Sequence, residues 1–291
     1  MSPRWLTRGR RAEHAPPSVE GDATAFDLWF ESGDGVAPHS TGDPTRPRPT
    51  IDAAGWLGSA GPGISPERWP RGSATGLPMF HAITLLLPDA FRRHGPGLPA
   101  VAFFQGEGQF ARARPEPTEW DDDPFVADIA RCADHPQLCR RSDIIDGQFA
   151  LVRLTQEEFD AGPTPPPVDP RRPGEHVATD EGPNAWDTLE PLVRVWLLER
   201  RDPNAGHVPV DLEAAAGALG HASPFDERFG LRPWAQGLAS SHLGGTAFPV
   251  QGLPPGHTPF YLELEELPGL NFGGGNAQID LESDTFGWSC G

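Results

Sequence analysis

With 291 residues, the chain is long enough to bury a substantial core as one large domain or two small ones. Its net charge of −18 repels phosphate backbones and anionic lipid, which argues against nucleic acid and membrane surfaces as partners. All 23 basic residues are Arg, so Schiff-base chemistry, a Lys general base and any Lys-dependent phosphate loop are excluded. Gly (34) and Pro (35) are abundant enough to predict a loop-rich fold, while no 18-residue apolar run is present to span a membrane.

The first 22 residues read as a disordered tail. They are Arg-rich (Arg4, Arg8, Arg10, Arg11) but lack the apolar stretch of an export signal. Three cysteines are too few and too odd in number for a disulfide framework, so a reducing cytoplasm is the expected setting. Ala23 to Phe30 reads as a strand or one helical turn, and residues 33–49 carry four Pro and three Gly that rule out either element. Further on, Ala82 to Leu87, Ala100 to Phe104 and Gly147 to Leu154 are apolar runs bounded by turn residues, as buried strands require.

Three helices are predicted. Asp123 is a good cap with Pro124 at the first position, and Phe125, Val126, Ile129 and Cys132 then share a face. In Thr188 to Arg201, Leu189, Leu192, Val193, Trp196 and Leu197 follow the 3.6-residue period, with Glu190 set to pair with Arg194. Asp211 caps a third segment that stops at Gly220. Between the second half and the first, residues 161–184 form a Pro-rich insertion, stiff and polyproline-like over its first fourteen residues.

The two halves echo one another. Trp69-Pro70, Pro78-Met79-Phe80 and a strand closing on Pro88 are matched by Phe248-Pro249, Pro259-Phe260-Tyr261 and a strand closing on Pro268. This order predicts a duplicated β unit. It also resembles the YwqG-like family, a bacterial domain of unknown function. The residues that carry the likeness are Gly61 to Gly63, Trp69-Pro70, Ala82 to Pro88 and Phe103-Phe104, then Gly244-Gly245, Phe248-Pro249, Gln251, Phe260 to Leu267 and Gly273-Gly274-Gly275. The likeness covers roughly residues 50–291. Family members commonly place a Gln inside each principal strand and a Gly-Asp in the late turn; here neither strand has a Gln, and Gly275-Asn276 stands in the turn. What the resemblance implies is one β-rich domain with a few helices and no assigned activity.

Candidate chemistry is sparse. Cys132, His135 and Cys139, with Cys290 as a possible fourth ligand, have the spacing of part of a zinc site, yet only one short-spaced pair is present and Cys132 belongs to an apolar helix face, so a structural role is expected and no cofactor. No Gly-x-Ser-x-Gly motif is present, and Ser240-Ser241-His242 sits beside Gly244-Gly245 as a turn would. Glu263, Glu265 and Glu266 alternate with Leu262, Leu264 and Leu267, the pattern of a strand with one wet face. His81 reads as a satisfied edge residue, and Trp69, His81 and Gln251 are the candidates for a ligand cleft between the halves.

The expected fold is α+β and β-rich: a single domain over residues 23–291, of two related β halves with peripheral helices. The expected function is non-enzymatic binding of a protein partner or small ligand, an immunity-like role against a basic protein being the version the charge suits. A hydrolase with a site assembled between the halves is the alternative.

Overall fold

The computed structural model describes residues 24–31, 51–108, 123–143, 146–171, 182–210, 220–228 and 230–291. Eleven strands form one sheet: β1 (Ala25–Phe30), β2 (Gly55–Leu57), β3 (Phe80–Leu86), β4 (Ala100–Gln105), β5 (Leu138–Ser142), β6 (Gln148–Leu154), β7 (Val193–Arg200), β8 (His242–Leu243), β9 (Tyr261–Glu265), β10 (Asn276–Asp280) and β11 (Phe286–Ser289). The order across the sheet is β11-β10-β9-β8-β1-β7-β2-β3-β4-β6-β5, and every pairing is antiparallel. Among the described residues there are two α-helices, α1 (Pro124–Arg131) and α2 (Gln156–Asp160). The protein is therefore β-rich.

Side chains alternate between the two faces of a strand, and here the alternation sets up two layers. Leu28, Leu57, Ile83, Leu85, Val101, Phe103, Phe149, Val195, Leu243, Leu262, Leu264 and Ile279 share one inner face and one core. The sheet curls nearly into a barrel around them. Its ends meet without ladder pairing: Phe286 of β11 packs on Phe149 of β6 with ring centroids 4.6 Å apart, the Arg141 guanidinium donates to the Asp284 carbonyl, and Arg153 pairs with the Asp284 carboxylate. On the outer face of β3, β4 and β6, Met79, Ala100, Ala102, Phe104, Ala150 and Val152 are covered by Ile64, Trp69 and Phe159 from the flanking loop and α2.

The strands expected at Ala82, Ala100 and Gly147 all form, and Ala25–Phe30 resolves as a strand. Helix α1 starts as expected: the Asp123 side chain accepts from the Phe125 amide at 2.8 Å, and Phe125 is buried against Trp186. The segment 188–201 is corrected. It is β7, not a helix, because Val193, Val195 and Leu197 turn inward against the core while β1 and β2 take its backbone hydrogen bonds on both sides. Leu189 and Leu192, which completed the helical stripe, lie outside the strand and are exposed. Chain neighbours on two sides outweigh a period that reads equally well at two. The helix expected from Asp211 lies outside the described residues, as do the N-terminal tail and residues 33–49. Within the Pro-rich insertion, Thr164 exchanges two backbone hydrogen bonds with Gly61, and the Trp186 indole donates to the Pro167 carbonyl, so this part is packed down on the sheet's loops. No helix among the described residues is long and apolar enough to cross a membrane.

Candidate functional site

The outer face of the other half of the sheet is polar yet buried. Asp27 on β1 stands opposite His242 on β8, His242 opposite Glu263 on β9, and Glu263 opposite Gln278 on β10. Directly opposed residues point the same way, so these four side chains form a row across four adjacent strands, on the face away from Leu28, Leu243 and Leu262. His242 and Glu263 are 0% exposed and Gln278 1%. What hides them is a strap, residues 247–258, laid over the row.

The hydrogen bonds that hold the strap come from sheet side chains. The Phe248 amide donates to both Glu263 carboxyl oxygens at 3.0 and 3.1 Å. Asn276 Nδ2 donates to the Phe248 carbonyl at 2.7 Å, and its Oδ1 accepts from the Val250 amide. Ser289 Oγ accepts from the Gln251 amide, and Asp280 accepts from the Thr258 hydroxyl. The alternation in β9 is thus the one expected, but the face holding Glu263 is dry. This corrects the reading of Glu263 as a wet-face residue.

Beside the row, Arg200 at the end of β7 donates to Asp27 at 2.9 Å and to Asp202 at 2.8 Å. Asp202 also accepts from the Thr246 amide and hydroxyl, both at 2.8 Å, and from the Asn204 amide. Burial dominates the ionisable groups of the row. It pushes the Glu263 carboxyl up to about 8, against the Phe248 amide, the Gln278 amide and Arg200, which all favour the anion. It holds His242 well below its ordinary value, with Arg200 adding repulsion, and raises Tyr261 well above its own. At neutral pH Glu263 is an un-ionised acid and His242 a neutral ring. The Tyr261 hydroxyl spends its proton on the Gly245 carbonyl at 2.9 Å, so toward His242 Nε2, at 3.4 Å, it can only accept. The backbone carbonyls of Ser240, Ala239 and Thr246 also act on the ring as acceptors, opposing the effect of its burial.

His242 Nδ1 has no well-formed hydrogen bond. Among the described residues five buried side-chain nitrogens lack a hydrogen bond, and four of them belong to this region: Arg200 Nε, His242 Nδ1, Gln278 Nε2 and His257 Nε2. The Gln278 nitrogen acts on the Glu263 carboxylate from nearby without a well-formed hydrogen bond. His257 lies in the strap, edge-on to the Tyr261 ring. Buried polar groups are ordinarily satisfied, so four orphans in one place mark a spot suited to an additional hydrogen-bonding group. The site is also tightly built. A Cβ on Gly245, whose φ is +85°, would sit 2.5 Å from the Asp202 Oδ2. We expect Gly245→Ala to lose more than about 2 kcal/mol by strain and by pushing on Asp202, read as a drop in the urea midpoint.

Of the residues singled out from the sequence, Gln251 belongs to the strap, whereas Trp69 and His81 lie elsewhere. Trp69 is 3% exposed and donates to the Met79 carbonyl; His81 is 0% exposed, on a central strand rather than an edge, between the Gly58 carbonyl at 2.6 Å and Thr84 Oγ1 at 2.8 Å. Both rest edge-on against Phe104, inside the first half's outer layer. Burial drives the His81 pKa down to about 4, so its ring is neutral, and it is satisfied as expected. Gln251, within the strap, donates its side-chain amide to the Cys290 carbonyl. The three do not meet. Cys132, His135 and Cys139 also have separate surroundings: Cys132 donates to the Asp128 carbonyl, His135 bonds Glu158 at 2.9 Å, and Cys139 faces Asp284. Among the described residues no three His, Cys, Asp or Glu side chains are placed to share a metal ion. Ser241 Oγ takes the Glu265 amide while His242 faces Tyr261, so that hydroxyl and imidazole serve different partners.

The row escaped the sequence because its members are far apart along the chain and meet only through strand register. The one available signal was the dense Gly and Pro run after Leu243, a loop long enough to fold back over the strand that follows. Compared with protein families, curated proteins and solved structures, the chain finds no match.

Proposed function

We propose that the chain is a non-enzymatic binding protein whose site is the polar row beneath the strap. The observation that carries this reading is a buried polar row, Asp27, His242, Glu263 and Gln278, in and beside which four side-chain nitrogens lack a well-formed hydrogen bond. Native mass spectrometry of protein taken directly from expressing cells tests it. A small molecule released on unfolding supports it. Absence of any adduct, together with no thermal stabilisation by a broad metabolite panel, defeats it.

We further read the sheet as two equivalent units whose first strands have been exchanged, β1 lying beside β8 and β7 beside β2. Register supports this. Setting Leu57 on Leu243 puts Leu28 on Val195, Ile83 on Leu262, Leu85 on Leu264, Val101 on Ala277 and Phe103 on Ile279, all inner-face residues. The offset between β3 and β9 also sets Trp69-Pro70 on Phe248-Pro249. Within this scheme His242, Glu263 and Gln278 fall on Trp56, Thr84 and Ala102. In that first-half row Trp56 donates to the Ala60 carbonyl and Thr84 bonds His81, so it is self-satisfied. The second-half row, unlike its first-half counterpart, holds side-chain nitrogens without a well-formed hydrogen bond, as divergence toward a ligand would leave it. The likeness to the YwqG-like family rests on motif order and is carried forward as part of this proposal.

The free thiols of all three cysteines suit a cytoplasmic setting. The net charge of −18 favours a basic protein on approach, which keeps an immunity-like partnership as a wider form of the binding reading. One observation favours the enzymatic alternative: a carboxyl with a pKa of about 8 is poised to donate a proton near neutrality. Glu263→Gln separates the two, since loss of turnover with binding retained would make Glu263 a catalyst.

A further inference from the structure

We infer that the barrel opens at the seam between β5 and β11, and that the turn carrying Asp284 is its latch. This device belongs to the inner face and is independent of the polar row. Strand number sets it up. With eleven strands and every neighbour antiparallel, the first and last strands of the sheet run the same way, so its ends meet in parallel orientation. The contacts across the seam agree. Arg141 meets Asp284 and Asp143 meets Trp288, so residue numbers rise together on the two sides. The antiparallel ladder that joins every other pair of neighbours therefore cannot close the ring. Among the described residues β5 and β11 share no backbone pairing.

What holds the seam is side chains, and they converge on one turn. Arg141 and Arg153 lie on the inner side of β5 and β6, with Phe149 and Leu151. Arg141 Nε donates to the Asp284 carbonyl at 2.6 Å, and Arg153 pairs with the Asp284 carboxylate. Asp284 has a φ of +61°, a left-handed conformation uncommon outside Gly. Its turn is braced from within, the Glu282 and Ser283 amides donating to Asp280 Oδ1, so it moves as a unit with β10 and β11. The seam is also filled less completely than the core. Phe286 and Trp288 are only partly buried, and a cavity of about 10 Å³, room for about one water, lies among Phe103, Cys139, Phe149, Phe286, Arg141 and Asp284. Parting β5 from β11 releases these side-chain ties and no ladder bond, whereas opening the sheet between any other two neighbours breaks backbone hydrogen bonds as well. Local opening takes the least costly route.

Cys139, on the cavity wall, reports the opening. In the full chain carrying Cys132→Ser and Cys290→Ser it is the single thiol. Normalised to thiolate fraction by pH profiles, its alkylation by iodoacetamide should be at least about tenfold slower than in the urea-unfolded chain, and flat in low urea because a local opening exposes little surface. Arg141→Met should raise the rate at least about fivefold, while Arg140→Met, on the other face of β5, should leave it within about twofold. Charge alone predicts the reverse for Arg141→Met before normalisation. Burial and Asp284 push the Cys139 pKa up and Arg141 and Arg153 pull it down, so losing Arg141 leaves less thiolate and a slower reaction. An Arg141→Met rate no faster than the parent's, or an equal gain in Arg140→Met, overturns the inference. If Arg141→Met does not fold, the parent decides. A rate that climbs steeply with urea shows opening by global unfolding only, and a rate equal to the unfolded chain's shows a thiol that no latch guards; either overturns the inference. A protected rate that stays flat in low urea upholds it.

Discussion

Arg200→Met is expected to destabilise the fold by about 3–5 kcal/mol, the largest effect of any single substitution in the polar region. The Arg200 side chain is 5% exposed and bridges Asp27 at 2.9 Å and Asp202, itself 0% exposed, at 2.8 Å. Methionine preserves most of the stem's volume but leaves two carboxylates buried together without a cation. Asp202 keeps its bonds from Thr246 and Asn204, which soften the loss; Asp27 keeps only a long contact of 3.4 Å from the Ala239 amide among its described partners. Because Arg200 joins β7 to β1 and to the loop after β8, the damage falls where the two halves of the sheet meet. Urea unfolding reads the loss directly. The triple variant Asp27→Asn, Arg200→Met, Asp202→Asn should recover much of it, since replacing every member of a buried ion network removes the uncompensated charge. A loss under about 1 kcal/mol for Arg200→Met, or no recovery in the triple variant, would mean that the network is solvated and adds little.

The strands of the first half were legible because each is a short apolar run fenced by Gly or Pro, and such a run has few other ways to be buried. Helix α1 was legible because Asp123-Pro124 is a local start signal that needs no tertiary partner. The segment ending at Arg200 was not, because Val193, Trp196 and Leu197 satisfy helical and strand periods alike, and only the neighbours β1 and β2 decide. Glu263 shows a deeper limit. Alternation correctly separates Glu263 from Leu262 and Leu264, but whether the outward face is wet depends on a strap that leaves the sheet and returns over it. Asp27, His242, Glu263 and Gln278 are each unremarkable in sequence. Their proximity is a product of register, which a single chain does not print. Trp69 and His81, named as cleft candidates although each also reads as an ordinary structural residue, close hydrogen bonds inside the first half's outer layer through their indole and imidazole nitrogens.

Glu263→Gln should reverse part of the protein's dependence on pH. The folded pKa of Glu263 is raised from about 4.5 to about 8, so the folded state holds this proton more tightly than the unfolded chain does. Its contribution to stability is therefore fully present below about pH 4.5 and is lost as pH rises through about 8. Glutamine keeps the shape and an oxygen for the Phe248 amide, and it has no proton to lose. The two proteins should be close in stability near pH 5, and the variant should pull ahead as pH rises, by as much as about 1.4 kcal/mol per pH unit until the gap levels off above pH 8. His242 and His81, both held below their ordinary values, act in the opposite sense, weakening the fold as pH falls below about 6.5, but they are present in both proteins and cancel in the comparison. Paired urea titrations from pH 5 to 9 measure the gap. A constant difference across that range would show that the Glu263 carboxyl titrates near its usual value and that the strap admits water to it.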